Sequence, residues 1–191
     1  MPTVLTHAVA AAAIGAAILP RAAGSRVWSL GIACAMLPDL DVVAFAFGIP
    51  YSAMLGHRGL SHSIAFALLV SLLATALALR RQGRDRERLR IWLFLFGAAV
   101  SHGVLDAFTN GGLGIAFFAP FSAKRYFFWV TPIQVSPIGA AFFSERGLRV
   151  LAGELYWVCL PAVLLTAASL ALHGTSRPRE YANADEHQDH P

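Results

Sequence analysis

Charge is scarce in this chain. Only 14% of its 191 residues are Asp, Glu, Lys or Arg, where an ordinary soluble domain carries about 25%. With 57% of residues hydrophobic and the charges gathered between long apolar runs, a soluble globular protein is excluded and a one-domain integral membrane protein remains. Cysteine is nearly absent too. Cys34 and Cys159 sit singly in apolar stretches without CxxC spacing, which points to buried thiols rather than a disulfide or thiolate metal site. No Lys or Arg precedes Arg21, whereas a secretory signal carries positive charge ahead of its apolar core. The first apolar stretch is therefore expected to be retained, with its N-terminus outside. A basic face interleaved with aromatics is also missing, so no nucleic-acid partner is expected. The net charge of +4 comes from basic residues in short connections, as topogenic arginines do.

What is present is a series of apolar runs at about 4–20, 27–47, 62–79, 91–109 and 148–172. The expected fold is all-α: a polytopic membrane helix bundle of about five transmembrane segments. One membrane-embedded domain spans 1–172. The polar tail, 173–191, lacks an apolar run and is expected to be disordered and cytoplasmic. Between the third and fourth runs lie Arg80, Arg81, Arg84, Arg86, Arg88 and Arg90, a hydrophilic hinge that the positive-inside rule puts in the cytoplasm. Arg21, Arg26, Arg177 and Arg179 then fall inside as well. That leaves Arg58, Lys124, Arg125, Arg146 and Arg149 outside, five of the 15 basic residues. Residues 110–149, with glycines at 111, 112 and 114 and two aromatic runs, read as a loop at the interface or folded back over the outer ends.

Each run carries ionisable residues at one end. His7 opens the first, Asp39 and Asp41 interrupt the second beside Pro38, and His57 and His62 precede the third, with Ser61 as a candidate N-cap. His102 and Asp106 close the fourth, four residues apart and hence on one helix face. Glu154 begins the fifth. With the orientation fixed by arginines alone, all of these fall on the outer side, where such residues in a membrane are expensive and usually functional. Histidines and aspartates without paired cysteines suit Zn²⁺, or else Mn²⁺ or Fe²⁺. Their number exceeds one tetrahedral shell, so two ions sharing a carboxylate are expected. Arg58, within the cluster, has a planar fork suited to phosphate.

The stretches Thr6-His7, Leu37-Pro38-Asp39-Leu40-Asp41, His57-Arg58-Gly59-Leu60-Ser61-His62-Ser63 and His102-x-x-x-Asp106-x-x-Thr109 resemble the YdjM-like family. These are bacterial inner-membrane proteins described as metal-dependent hydrolases and associated by name with LexA. The resemblance covers about residues 3–160. In turn it is similar to the zinc-dependent C-type phospholipases, helical enzymes with clustered metals. It implies a bridging Asp106 beside His102, one site completed by Asp39 or Asp41 with His57 or His62, and His7 on another ion. The later HxxxE pair of the soluble enzymes is missing, since no histidine lies four residues before Glu154. The ligand set expected is His7, Asp41, His57, His62, His102 and Asp106, with Asp39 as general base and Arg58 as phosphate-binding group. The expected function is a membrane-bound metal-dependent hydrolase of the bacterial inner membrane, its site facing outward. Its expected partner is a lipid or lipid-linked phosphoester, cleaved by a metal-activated water. A cation or proton transporter is the alternative, but the inner halves of the runs are almost purely apolar, without the through-path that transporters carry. A purely structural metal would need fewer ligands.

Overall fold

The computed structural model describes residues 1–20, 22–79, 85–137 and 139–174. Helix α1 runs Val4–Ile18, α2 Ser25–Met36, α3 Ile64–Leu79, α4 Asp85–Ala107, α5 Glu145–Glu154 and α6 Leu160–Gly174. No strand is formed among the described residues; two isolated bridges, Thr109 with Ile133 and Ile115 with Tyr126, pin the irregular segment after α4. Three continuous helical rods are long and apolar enough to cross a membrane: Ser25–Phe47, Asp85–Ala107 and Glu145–Leu172. Helices α1 and α3, at 15 and 16 residues, reach only about 22–24 Å, short of a hydrocarbon core of about 30 Å.

The bundle is built around α4, which packs on α1, α2 and α3, while α1 also packs on α2 and α6. Small residues permit this closeness, as is usual where helices meet in lipid. Ala11, Ala35, Leu95 and Ala98 are fully buried, and so is Phe94. Its ring lies so close to α2 that a Cβ at Gly31 would stand 2.0 Å from it. Facing outward are Leu5, Leu72, Leu73, Leu77 and Leu164, each more than half exposed. Helices apolar on the outside as well as the inside are what a lipid environment requires.

Several boundaries depart from the sequence pattern. The rod beginning at Ser25 is not broken at Pro38; from Leu37 to Phe47 it tightens into a 3-10 helix with Pro38 in the first positions, where a missing N–H costs least. Helix α4 starts at Asp85, so Arg86, Arg88 and Arg90 ride on its first turns instead of in a hinge; Arg80, Arg81 and Arg84 lie outside the described residues. Ser63 caps α3, its hydroxyl accepting the Phe66 N–H at 3.1 Å, whereas Ser61 and His62 sit in a separate short turn, Leu60–His62. Helix α5 begins at Glu145 and passes through one π turn, Leu155–Cys159, into α6. The expected disorder of the tail concerns residues that, beyond 174, also lie outside those described.

Candidate metal centre

The site gathers where the end of α4, the start of α1, the 3-10 rod and the loop before α3 meet. His102 and Asp106, one turn apart on α4, are both fully buried. The Nδ1–H of His102 donates to the Ala35 carbonyl at 2.7 Å. Ala35 lies three residues before Pro38, the position that would donate to that carbonyl in a 3-10 turn, and proline has no N–H to give. The imidazole takes the vacant acceptor, which fixes its tautomer and leaves Nε2 as a lone pair facing the site.

His62 is oriented in the same manner by different partners. Its Nδ1 lies 2.9 Å from Ser61 Oγ, which in turn donates to Asp41, so Nδ1 carries the proton and Nε2 is again the free atom. The two Nε2 atoms stand 3.0 Å apart. Two lone pairs at that separation need a cation or a proton between them. Burial by itself would pull the His62 pKa down, but the approach of Asp106 at 3.6 Å and Asp41 at 3.2 Å outweighs it and holds the imidazole up to about 9.

Asp39 and Asp106 complete a quartet whose candidate ligand atoms all lie within 4.8 Å of one another. Asp39 Oδ1 is 3.3 Å from His102 Nε2 and 3.8 Å from His62 Nε2. Donor atoms about 2.0–2.2 Å from a four-coordinate Zn²⁺ stand about 3.3–3.6 Å apart, and the four spacings here, 3.0, 3.3, 3.6 and 3.8 Å, scatter around that edge. Both Asp39 oxygens, Asp106 Oδ1 and both His7 nitrogens are buried without a hydrogen-bond partner. Native interiors rarely leave so many polar atoms unpaired in one place unless an ion belongs there. The residues therefore fit a divalent cation. His7 Nε2 is 3.7 Å from Asp106 Oδ1, and its ring stacks on His102 with centroids 3.8 Å apart, which sets it against two members of the quartet.

The remaining predicted residues sit one step away. Asp41 accepts from His57 Nδ1 at 2.6 Å, from the Arg58 N–H at 3.2 Å and from Ser61, so His57 and Asp41 pair with each other and reach the quartet through His62. They could form a second ligand group with His62, but their facing atoms are already engaged. Residues two apart point about 120° from each other on a 3-10 helix, against about 160° on an α-helix. This winding sends Asp39 into the quartet and Asp41 onto the loop. Arg58 is 1% exposed and its guanidinium is committed: Nε to Asp106 Oδ2 at 3.0 Å, one terminal nitrogen to the Gly111 carbonyl at 2.6 Å and the other to Thr109 at 2.9 Å. Its backbone adopts φ 63°, a left-handed conformation that costs a non-glycine residue about 1–2 kcal/mol and is held by these bonds. Gly59 follows because a Cβ there would lie 2.1 Å from the Met54 carbonyl.

Glu154 does not join the cluster. Its buried carboxylate accepts from the Thr3 N–H and hydroxyl, each at 2.6 Å, and from Thr6, so it clamps the first turn of α1 and through it places His7. Sequence reasoning missed Arg125, whose guanidinium binds the carbonyls of His57, Tyr51 and Ala53 at 3.0 Å each and splints the histidine loop. Its signal was the Lys124-Arg125 pair inside an otherwise aromatic, uncharged stretch. The segment after α4 also covers the site, with Ala116 N–H bonding the Arg58 carbonyl and Ile64 N–H the Phe117 carbonyl.

Fold and site together define a helical membrane protein with a buried His–Asp cluster able to hold a metal ion. More particularly, the chain belongs to the YdjM inner membrane protein family, which matches residues 1–177. It is similar to the inner membrane protein YbcI of Escherichia coli (strain K12), 40% identical over 166 residues that cover 86% of this chain and 95% of YbcI. No solved structure matches it.

Proposed function

We propose that this protein is a membrane-bound metal-dependent hydrolase that cleaves a phosphoester of a lipid or lipid-linked substrate. One observation carries the reading: ligand atoms of Asp39, His62, His102 and Asp106, all buried, lie within 4.8 Å of one another, and among these residues both Asp39 oxygens and Asp106 Oδ1 have no hydrogen-bond partner. In this reading Asp39, His62, His102 and Asp106 would hold one ion, and His7, 3.7 Å from Asp106 Oδ1, would help hold a second. Zn²⁺ is the favoured ion, with Mn²⁺ or Fe²⁺ as alternatives. Bound there, the metal would acidify a water and stabilise the oxyanions of a displacement, as the resemblance to C-type phospholipases suggests.

The structure favours exchanging the roles of the two aspartates in the 3-10 rod. Asp39, without a hydrogen bond, suits ligation. Asp41, with four donors around it, suits orienting His57 and His62, as carboxylates behind metal-bound histidines do. Arg58 acts as a positioning residue for Asp106, its fork being spent on protein acceptors. A transporter is disfavoured by α4, whose buried residues from Ile91 to Ala99 are all apolar.

Five membrane crossings, with the N-terminus and the site outside, remain part of the proposal. They rest on the arginine distribution and on the apolar, short α1 and α3. In a Cys34→Ala, Cys159→Ala background, an impermeant thiol reagent should label Ser52→Cys on intact cells and spare Glu87→Cys; the opposite pattern inverts the orientation. For the activity, elemental analysis of purified protein should find one to two ions per chain. A screen of phospholipids and lipid phosphates should then detect hydrolysis that disappears in His102→Ala. Metal-free wild type purified without chelator, or turnover undiminished in His102→Ala, would sink the reading.

A further inference from the structure

A cavity of about 830 Å³ lies beside the cluster, within the range of about 300–1,000 Å³ typical of ligand sites. One wall is a face of α2: Ser29, Ile32, Ala33 and Met36 line it, spaced at i, i+3, i+4 and i+7 as one helical stripe requires. Val4 and Leu5 of α1 line the cavity as well. Only one ionisable side chain is among its described lining residues, and that is Asp39, whose Oδ1 belongs to the His–Asp quartet. The cavity thus joins a long apolar space to the point where the unpartnered oxygens converge.

We infer that this groove holds a single hydrocarbon chain of a membrane lipid, with the lipid's phosphate end directed at Asp39 and the quartet. The inference rests on the hydrolase reading for the phosphate end only. The occupant follows from the surroundings. Half of the groove is built on a membrane-crossing rod, Ser25–Phe47, and two of its lining residues, Leu5 and Leu40, are 69% and 63% exposed on the chain's surface. In a bilayer those residues face hydrocarbon, so what enters between them is a lipid tail. A tail moving from bilayer to groove gains little free energy, since lipid is as apolar as leucine. The groove therefore sets position, and affinity has to come from the phosphate end.

The test uses the full chain in phosphatidylcholine nanodiscs and hexadecyl phosphate carrying a diazirine at its terminal carbon. After illumination, peptide mapping should place the label on the α2 stripe or on Leu5. Ala33→Trp, or the milder Ser29→Leu, should cut that labelling at least tenfold while metal content stays as in wild type. Label spread equally over outward residues such as Leu72 and Leu73, or undiminished in both filled variants, overturns the groove. Unlabelled hexadecyl phosphate should compete at least tenfold better than hexadecanol in metal-loaded wild type and no better in His102→Ala. Equal competition in wild type, with the label still on α2, keeps the tail site and removes the metal-bound phosphate instead.

Discussion

Replacing Asp39 and Asp41 by asparagine should separate a ligand from an orienting group by two opposite signatures. Asp41 accepts from His57, the Arg58 backbone and Ser61, with His62 Nδ1 3.2 Å away. An asparagine keeps one acceptor oxygen and turns an NH₂ toward donors, so one or two charge-assisted bonds are lost, at about 1.5–3 kcal/mol each. Metal-free Asp41→Asn should therefore be about 2–4 kcal/mol less stable than wild type. Asp39 has no hydrogen bond to lose, and metal-free Asp39→Asn should stay within about 1 kcal/mol of wild type. The gain on adding metal ranks the two variants the other way. At one hundred times the dissociation constant, the wild type gains about 2.7 kcal/mol from binding. An orienting partner is worth about 10–100-fold in metal affinity, so Asp41→Asn at the same concentration should still gain about 0.4–1.4 kcal/mol. Asp39→Asn, with a ligand removed, should gain close to nothing. Thermal unfolding in detergent, with and without Zn²⁺, reads both quantities. If Asp39→Asn kept the full zinc-induced shift, Asp39 would not be a ligand and the assignment from geometry would be wrong.

Other substitutions bear on separate parts of the site. His102→Ala and Asp106→Ala should each lose bound metal in elemental analysis, whereas His187→Ala in the tail should keep it. His7→Ala should lower a two-ion stoichiometry to one, because His7, outside the quartet's own ligand group, faces Asp106 Oδ1 at 3.7 Å. Arg58→Lys cannot reproduce the three-way fork onto Asp106, Gly111 and Thr109, and zinc titration should show an affinity at least about tenfold weaker. Gly31→Ala would push a methyl to 2.0 Å from the Phe94 ring; overpacking of this kind costs about 1–3 kcal/mol, visible as a lowered unfolding temperature with metal binding retained.

The parts of the molecule that depend on one helix were legible in the sequence. The apolar runs lie within a residue or two of α1, α2 with its 3-10 extension, and α3, and the period of α4 alone brings His102 beside Asp106. What depended on winding was not. Alternation cannot tell a helix broken at Pro38 from one that tightens there, and on that difference hangs which aspartate faces the quartet. Nor can local pattern find partners far along the chain. Glu154 binds Thr3 across 151 positions, and Arg125 binds loop carbonyls across 68 to 74. Both cations were legible as charges, but Arg58 and Arg125 have bonds that only the folded chain reveals.

The rod from Ser25 to Phe47 also constrains how the protein is made. It carries Asp39 and Asp41, yet His57, Ser61, His62 and His102, which meet those carboxylates, all come later in the chain. Synthesis proceeds from the N-terminus, so the aspartates enter the bilayer before any of their partners exist. An aspartate at mid-helix costs about 2.5–3.5 kcal/mol on insertion, and the run Val42-Val43-Ala44-Phe45 behind Asp41 offsets part of that. Asp41 gains His57, Arg58 and Ser61 once the loop before α3 is made. Until α4 arrives with His102, however, the early vessel is half built, with Asp39 still short of the nearer histidine it faces. A ribosome stalled between α3 and α4 would release a fragment that membrane proteases should clear quickly, whereas chains extended past Ala107 should persist.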